Sequence, residues 1–214
     1  MNQCENLHKW ANSLAVFTFP FDETRIPANG IYLLFEKGEK AHGGRRIVRI
    51  GTHTGKDQLR SRLRQHFLTE NKDRSIFRKN IGRAFLNQAD DEFLEKWELD
   101  LTSAAARGRH GDGVDKGKLQ GTEKCVSQYI QTNFSFVVIE VENKDRRLRL
   151  ESRMISTIAA CSECRPSQNW FGQWSPKQKI RESGLWLVNE LFKTPLSATD
   201  MAMLEAEKAQ DVRA

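Results

Sequence analysis

The chain has 214 residues, of which 38% are hydrophobic and 29% are charged, a composition that supports a folded core and excludes a disordered chain. The net charge is +6, and between Gly43 and Arg83 twelve Lys and Arg residues face only three acidic ones. Such a segment is typical of a surface that binds a polyanion, and we interpret it as a nucleic-acid contact rather than an ordinary solvated helical surface. No apolar run approaches the length of a membrane span, and the first residues lack the order of a secretory signal. We therefore expect a cytoplasmic protein with no membrane partner.

The first part of the chain predicts a short helix followed by a β-hairpin. Residues 6–14 favour the helix, and an extended stretch over residues 16–21 is expected to pack on the core. Gly30 to Phe35 is a β-favouring apolar run, and residues 47–50 form the returning strand. The glycine-rich segment 37–44 between them predicts an extended turn.

Helical spacing dominates most of the remaining sequence. Residues 56–67 carry an apolar stripe, with Arg62 and His66 on one border and Arg60 and Arg64 on the other. Further helices are predicted over residues 75–86, 91–97, 122–132 and 143–160, and others after Ser175 and Ser197. Residues 134–141 are almost continuously apolar, which predicts a central strand covered on both faces. Residues 101–121 are rich in glycine, and we interpret them as a mobile surface loop that is a tolerated insertion rather than a DNA contact.

The four cysteines do not form a disulfide framework for a chain of this size. Cys161 and Cys164 have the spacing of half a zinc site. No second close pair of Cys or His follows them in the sequence. We therefore interpret these cysteines as ordinary reduced thiols rather than as zinc ligands.

Glu151 is the most informative residue outside the hairpin, because helical spacing places it within an apolar stripe. An inward carboxylate is costly unless it is paired or bound to a cation. A buried ion pair, for example with Arg62, is one explanation. We favour the other, in which Glu151 is a ligand of Mg²⁺, which often takes one carboxylate together with water and phosphate oxygens.

Several other side chains suit chemistry on a phosphodiester. The hydroxyl of Tyr32 can face a groove and contact a phosphate or a water, the guanidinium of Arg62 suits phosphate oxygens, and His66 can relay a proton near neutral pH. Asn169 can hydrogen-bond a phosphate or shape a turn. The expected nucleic-acid contacts are basic or lie in the loop after Gly51: His53, Lys56, Arg60, Arg64, Arg78 and Lys79.

In its motifs, the sequence resembles the GIY-YIG nucleases. The matching residues, in chain order, are Gly30-Ile31-Tyr32, Arg62, His66, Glu151 and Asn169. The resemblance implies an α/β (α+β) fold with a small three-stranded antiparallel sheet flanked by helices and with helical additions at both ends. It implies an N-terminal extension over 1–27 packed on the core, a core over 28–175 and a C-terminal extension over 176–214. Arg49 stands where the family usually has a second tyrosine, and it can bind a phosphate but cannot act as a base.

The resemblance also implies a function, an endonuclease that hydrolyses DNA, expected to be double-stranded, by a one-metal mechanism. Glu151 would hold Mg²⁺ or Mn²⁺, Tyr32 would position or deprotonate the attacking water, and His66 would take its proton. Arg62 and Arg49 would neutralise the phosphate, so the predicted catalytic set is Tyr32, Arg49, Arg62, His66, Glu151 and Asn169. The alternative is a non-catalytic nucleic-acid-binding protein on the same fold, and Arg49 favours it.

Overall fold

One four-stranded antiparallel sheet organises the protein, whose computed structural model describes residues 2–211. The strands are β1 (Phe17–Thr18), β2 (Gly30–Ala41), β3 (Gly44–Gly51) and β4 (Phe134–Glu140), in the spatial order β1-β4-β2-β3. Tyr32 on β2 lies opposite Gly51 on β3 and Val138 on β4. The prediction of an antiparallel sheet flanked by helices is confirmed, but the count of three strands is wrong, because the extended segment before β2 pairs with β4 as an edge strand.

Helices cover both faces of this sheet. They are α1 (Gln3–Asn12), α2 (Leu59–Phe67), α3 (Ile76–Gln88), α4 (Phe93–Glu98), α5 (Ala104–His110), α6 (Lys116–Asn133), α7 (Lys144–Ala159), α8 (Gln178–Ser183) and α9 (Ala198–Asp211). Short 3₁₀ turns occupy Glu23–Arg25, Gly111–Gly113 and Phe171–Trp174. None of the helices in residues 2–211 is long and apolar enough to cross a membrane.

Successive side chains of a strand point to opposite faces of the sheet, so the core has two layers, one on each face. Ile31 and Leu33 of β2 pack in one apolar cluster together with residues of α1, α7 and α9. Tyr32 and Leu34 point to the other face and pack with residues of α2, α3 and α6. The helix α7, which carries Glu151, therefore lies on the opposite face of the sheet from α2, which carries Arg62 and His66.

The hairpin and the insertion differ from the sequence-based expectation. The strand β2 continues to Ala41, and only His42 and Gly43 form the turn, with φ of 49° and 75°. Positive φ at both central residues is typical of a type I′ turn, which matches the twist of the strands. Where the sequence predicts a loop over 101–121, the structure has α5 and the start of α6, because Ser103 and Asp115 cap their first turns.

The segment after α8 runs beside the outer edge of β3. The backbone N–H of Trp186 donates to the carbonyl of Val48 at 2.8 Å, and Arg46 donates through Nη1 to the carbonyl of Gly184 at 2.6 Å. The chain then reaches α7, where Ser156 Oγ donates to the carbonyl of Glu190 at 2.6 Å. The predicted domain boundaries stay a prediction, and residues 212–214 of the predicted C-terminal extension lie outside the described residues.

Candidate active site

A buried line of three hydrogen-bonded side chains connects the sheet to α2 and α3. Tyr32 Oη lies 2.7 Å from His66 Nε2, and His66 Nδ1 lies 2.7 Å from Ser75 Oγ. Ser75 is the N-cap of α3 and also accepts the backbone N–H of Arg78 at 3.2 Å. Burial and the nearby Arg62, Arg49 and Arg78 hold the pKa of His66 well below its usual value. His66 is therefore neutral, and one ring nitrogen can accept a proton.

The Tyr32 hydroxyl packs directly against the backbone of Gly51. A Cβ added at Gly51 would lie 2.2 Å from Tyr32 Oη and 2.4 Å from Cζ, which no side chain can tolerate without displacing the ring. Position 51 therefore requires glycine because the Tyr32 ring lies so close to the backbone, and not because the backbone has a positive φ. Tyr32 is 0% exposed, so its hydroxyl does not face a groove as the sequence predicted.

Arg49 lies between the tyrosine–histidine pair and the following chain. Its Nη1 donates to the carbonyl of Trp186, and its Cζ lies 5.2 Å from the ring centroid of Phe77. Arg49 is buried, and its Nε has no hydrogen-bond partner among the described residues. A buried cation with a free donor is suited to receive an anion.

Arg62 is the second cation near His66, and it is only half-buried. Its Nη1 donates to the side-chain oxygen of Gln65 at 3.0 Å and to the carbonyl of Arg74 at 2.9 Å. These bonds fix the direction of the guanidinium with neutral partners, and no carboxylate among the described residues pairs with it. Arg62 therefore does not form an ion pair with Glu151, which was one of the two explanations for the inward position of Glu151.

Glu151 is half-buried on α7, as its position in the apolar stripe predicts. Burial raises the pKa of its carboxyl to about 7, while Arg49, the backbone N–H of Thr52 and Arg62 act in the opposite direction and Glu190 adds to the rise. A bound cation would oppose the desolvation and return the pKa towards its normal range. Glu151 is thus a carboxylate in a position where a hard cation would be favourable.

The tyrosine–histidine pair and Glu151 come from opposite faces of the sheet, and both lie near Arg49 and Arg62. Arg49 and Arg62 influence the pKa of both His66 and Glu151, so the two arginines lie within electrostatic range of both groups. Thr52, whose N–H acts on Glu151, directly follows the Gly51 that contacts Tyr32. The structure therefore brings five of the predicted catalytic residues to one region.

Asn169 is the predicted catalytic residue that the structure does not bring there. It is exposed in a turn next to Trp170, whose Nε1 donates to Glu36 at 2.7 Å. Glu36 lies four residues beyond Tyr32 on β2, which corresponds to about 13 Å at the rise of an extended strand. Ser167 on the other side donates to Glu39, still farther along the strand. Trp170 also packs against Trp186 at 5.1 Å between ring centroids, and these contacts hold the turn beside the middle of β2.

Two of the predicted nucleic-acid contacts are structural instead. Arg78 is 0% exposed and forms an ion pair with Glu123 at 2.7 Å, together with bonds to Ser127 Oγ and to the carbonyl of His66. Lys79 is mostly buried and donates to the carbonyl of Glu98 at 2.7 Å. Both predictions are wrong because helical spacing does not reveal which charged side chains find a buried partner.

The other predicted contacts divide into one buried residue and three exposed ones. His53 is buried, with Nε2 accepting the backbone N–H of Gly30 at 3.3 Å, so it cannot contact a nucleic acid as predicted. Lys56, Arg60 and Arg64 are exposed. Arg60 donates to the carbonyl of Ile26 at 2.6 Å and Arg64 pairs with Glu23 at 3.5 Å, so both lie on the side of α2 that faces residues 23–26.

Three residues near the site were not singled out from the sequence. The sequence predicts Ser75 only as the start of a helix, whereas its hydroxyl also orients His66. Glu190 raises the pKa of Glu151 and accepts a hydrogen bond from Ser152 on α7. Asn189, which precedes it, is exposed. The only sequence signal for the pair is that two polar residues directly follow the apolar run of residues 184–188.

A comparison with protein families finds one that matches nearly the whole chain. The model of a GIY-YIG domain matches residues 5–210. No curated protein and no solved structure matches the chain.

Proposed function

The chain belongs to the GIY-YIG family, which generally consists of endonucleases, and on that premise we propose that it hydrolyses phosphodiester bonds in DNA. The observation that supports this most directly is the 2.7 Å hydrogen bond between Tyr32 and a neutral, buried His66 beside Arg49 and Arg62. This pair can accept a proton from a nucleophile, and the arginines can neutralise a phosphate next to it.

Arg49 and Arg62 bind the scissile phosphate in this proposal. The buried Nε of Arg49 donates to a phosphate oxygen and gains the partner that it lacks. Arg62 approaches from the half-buried surface of α2 and contacts a second oxygen. Arg49 stands where the family usually has its second tyrosine. In this proposal its charge stabilises the phosphate, and it takes no part in proton transfer.

The residues around Glu151 fit a divalent cation such as Mg²⁺ or Mn²⁺. Burial raises the pKa of the Glu151 carboxyl to about 7, and a second carboxylate, Glu190, raises it further, so a bound cation would favour the charged form. Glu151 would hold the ion, which when bound supplies charge stabilisation to the phosphate and the leaving oxygen.

Tyr32 and His66 carry out the proton transfer. The phenol oxygen accepts a proton from the attacking water while His66 accepts the phenol proton through Nε2, and Ser75 holds the ring through Nδ1.

The exposed basic residues around α2 bind the DNA backbone. Lys56, Arg60 and Arg64 supply exposed positive charge, and phosphate contacts of this kind make binding strongly dependent on salt. Asn189 takes the role predicted for Asn169, because it is exposed and adjacent to Glu190 beside the site.

A nicking assay on supercoiled plasmid, with EDTA, Mg²⁺ or Mn²⁺, tests the proposal. We expect the wild-type chain to nick DNA only with a divalent ion, Glu151→Gln and Tyr32→Phe to lose cleavage, and both variants to retain DNA binding at low salt. Asn169→Ala is the matched control and is expected to cleave like the wild type. Cleavage by Glu151→Gln at the wild-type rate would remove this residue from the mechanism.

The second candidate is a protein that binds nucleic acid without cleaving it. The complete burial of Tyr32 and the arginine at position 49 favour it. It predicts salt-dependent DNA binding and no nicking with either ion, and it predicts that Glu151→Gln and the wild type behave alike in both assays.

A further inference from the structure

A group of cysteine and histidine side chains meets at the far end of the β2–β3 hairpin, away from the candidate active site. The potential ligand atoms of Cys4, His8, His42 and Cys164 all lie within 4.8 Å of one another. The sulfur of Cys164 lies 3.1 Å from the sulfur of Cys4 and 3.1 Å from His42 Nε2. Cys161 adds a third sulfur, 3.5 Å from the same His42 nitrogen.

These side chains come from three distant parts of the chain. Cys4 and His8 lie one turn apart on α1, His42 lies in the hairpin turn, and Cys161 and Cys164 follow α7. No second close pair of Cys or His follows Cys161 and Cys164, so their spacing by itself favours reduced thiols over a zinc site. The missing ligands are in fact upstream and separated from each other, where spacing rules cannot find them.

The hydrogen bonds of His8 identify which four side chains can act as ligands. His8 Nδ1 lies 2.9 Å from the carbonyl oxygen of Cys4, so this nitrogen carries the proton. His8 Nε2 accepts the backbone N–H of Ile47 at 3.2 Å, so its lone pair is already used. His8 therefore supports the group from outside, and Cys161 completes a set of four with Cys4, His42 and Cys164.

We propose that Cys4, His42, Cys161 and Cys164 bind one structural Zn²⁺ ion. Tetrahedral zinc with bonds of about 2.3 Å to sulfur and about 2.0 Å to nitrogen places its ligand atoms roughly 3.5–3.8 Å apart. The Cys161–His42 separation of 3.5 Å lies in this range, and the Cys4–Cys164 and His42–Cys164 separations of 3.1 Å are slightly shorter. Three cysteines and one histidine form a common structural zinc set, and Cys161 and Cys164 have the Cys-x₂-Cys spacing of such sites.

The surroundings of the four side chains match those of a metal site. His42 directs Nε2 at the sulfurs, and its Nδ1 lies 3.6 Å from the carboxylate of Glu163, an arrangement that orients metal-bound histidines. Asn2 Nδ2 lies 3.7 Å from the sulfur of Cys161 and can donate to a thiolate. Cys4 and Cys164 are almost completely buried, which protects the ligands from water.

Four protein ligands leave no position for a water or a substrate, so the ion has a structural role. His42 follows the end of β2 and lies ten residues after Tyr32, which corresponds to at most about 33 Å along an extended strand. The ion would tie α1 and the segment after α7 to the hairpin. This inference does not depend on nuclease activity.

Metal analysis of the full-length chain, purified from bacteria without chelators, tests the site. We expect about one zinc per chain by plasma mass spectrometry, with X-ray absorption at the zinc edge showing three sulfur ligands and one nitrogen ligand. Replacement by Co²⁺ is expected to give the absorption bands of a tetrahedral thiolate site. A wild-type chain that holds no zinc and binds neither added Zn²⁺ nor Co²⁺, or one that has a Cys4–Cys164 disulfide by mass spectrometry, would overturn the proposal.

Variants test the choice of ligands. Cys161→Ser and Cys164→Ser are expected to lose most of the bound zinc, whereas His8→Asn is expected to keep it. Cys125→Ser is the matched control, because Cys125 is the exposed cysteine outside the group. A chelator is expected to lower the Tm of the wild type and of Cys125→Ser. If His8→Asn loses the zinc while Cys161→Ser keeps it, the assigned ligand set is wrong. If a cysteine variant does not fold, the X-ray absorption and Co²⁺ spectra of the wild type still show whether three sulfurs and one nitrogen bind the ion.

Discussion

The substitution Gly51→Ala tests whether the contact between the end of β3 and Tyr32 holds the candidate active site together. The new Cβ would lie 2.2 Å from Tyr32 Oη, whereas atoms in ordinary contact are about 3.5 Å apart, so the ring must move by roughly 1 Å. That shift would lengthen the 2.7 Å bond to His66 beyond hydrogen-bonding distance.

The expected cost follows from the two effects. Overpacking a core costs about 1–3 kcal/mol and a lost hydrogen bond about 0.5–1.5 kcal/mol, so we expect the free energy of unfolding to fall by about 2–4 kcal/mol. For a chain of this size, that corresponds to a decrease in Tm of about 4–16 °C. If Tyr32 and His66 transfer the proton, the nicking rate should fall by about 10²–10⁴.

Calorimetry and the plasmid assay measure these effects. Gly121→Ala is the control, because a Cβ at this position of α6 meets nothing within 4 Å and should leave both the Tm and the nicking rate unchanged or slightly raise the Tm. Gly51→Ala combined with Tyr32→Phe should recover part of the stability, because the shortest contact is with the hydroxyl, but none of the activity. A Gly51→Ala protein with wild-type Tm and wild-type nicking would refute the described packing.

Three further predictions concern the charged and polar residues around the site. Burial raises the pKa of Glu151 to about 7 from its unperturbed 4.5, so the free energy of unfolding without metal should fall as the pH rises from about 4.5 through 7, by at most about 3 kcal/mol. Urea unfolding at pH 5 and pH 8 should show that Glu151→Gln removes this fall, and identical pH dependence in both proteins would contradict the assignment. Arg78→Leu leaves a buried carboxylate unpaired and should cost about 3–5 kcal/mol, whereas Arg64→Leu breaks a pair whose arginine side chain is 60% exposed and should cost less than about 1 kcal/mol. A small cost for Arg78→Leu in denaturant titrations, with reduced DNA affinity, would restore its predicted role at the surface. Asn189→Ala should slow nicking while Asn169→Ala does not, and the reverse result would show that the exposed turn before Trp170 serves the reaction.

Local patterns in the sequence were sufficient for most of the secondary structure. Asn143 begins the helix of Glu151 as a cap, and the apolar run after Asn133 forms the central strand β4 between β1 and β2. The position of Glu151 within an apolar stripe also predicted its partial burial. These features depend on neighbours within one or two turns, so the sequence carries the information directly.

The charged residues were less predictable. Arg62 and Arg78 both lie in the basic segment, yet Arg62 stays half-exposed near the site and Arg78 is buried against Glu123. The difference is set by a partner on α6, far away in the sequence. A positive net charge therefore identifies a basic segment but does not distinguish cations that bind a ligand from those that support the fold.

The sequence by itself determined the hairpin, the helix that carries Arg62 and His66, and the inward carboxylate of Glu151. Periodicity and capping act over a few residues, which is why these features are readable. Only the tertiary structure decided that Asn169 lies away from the site, that Glu190 lies near it, and that Cys4 and His42 meet the cysteines after α7. These juxtapositions arise from packing of helices on both faces of one sheet, where contacts join residues that no spacing rule connects.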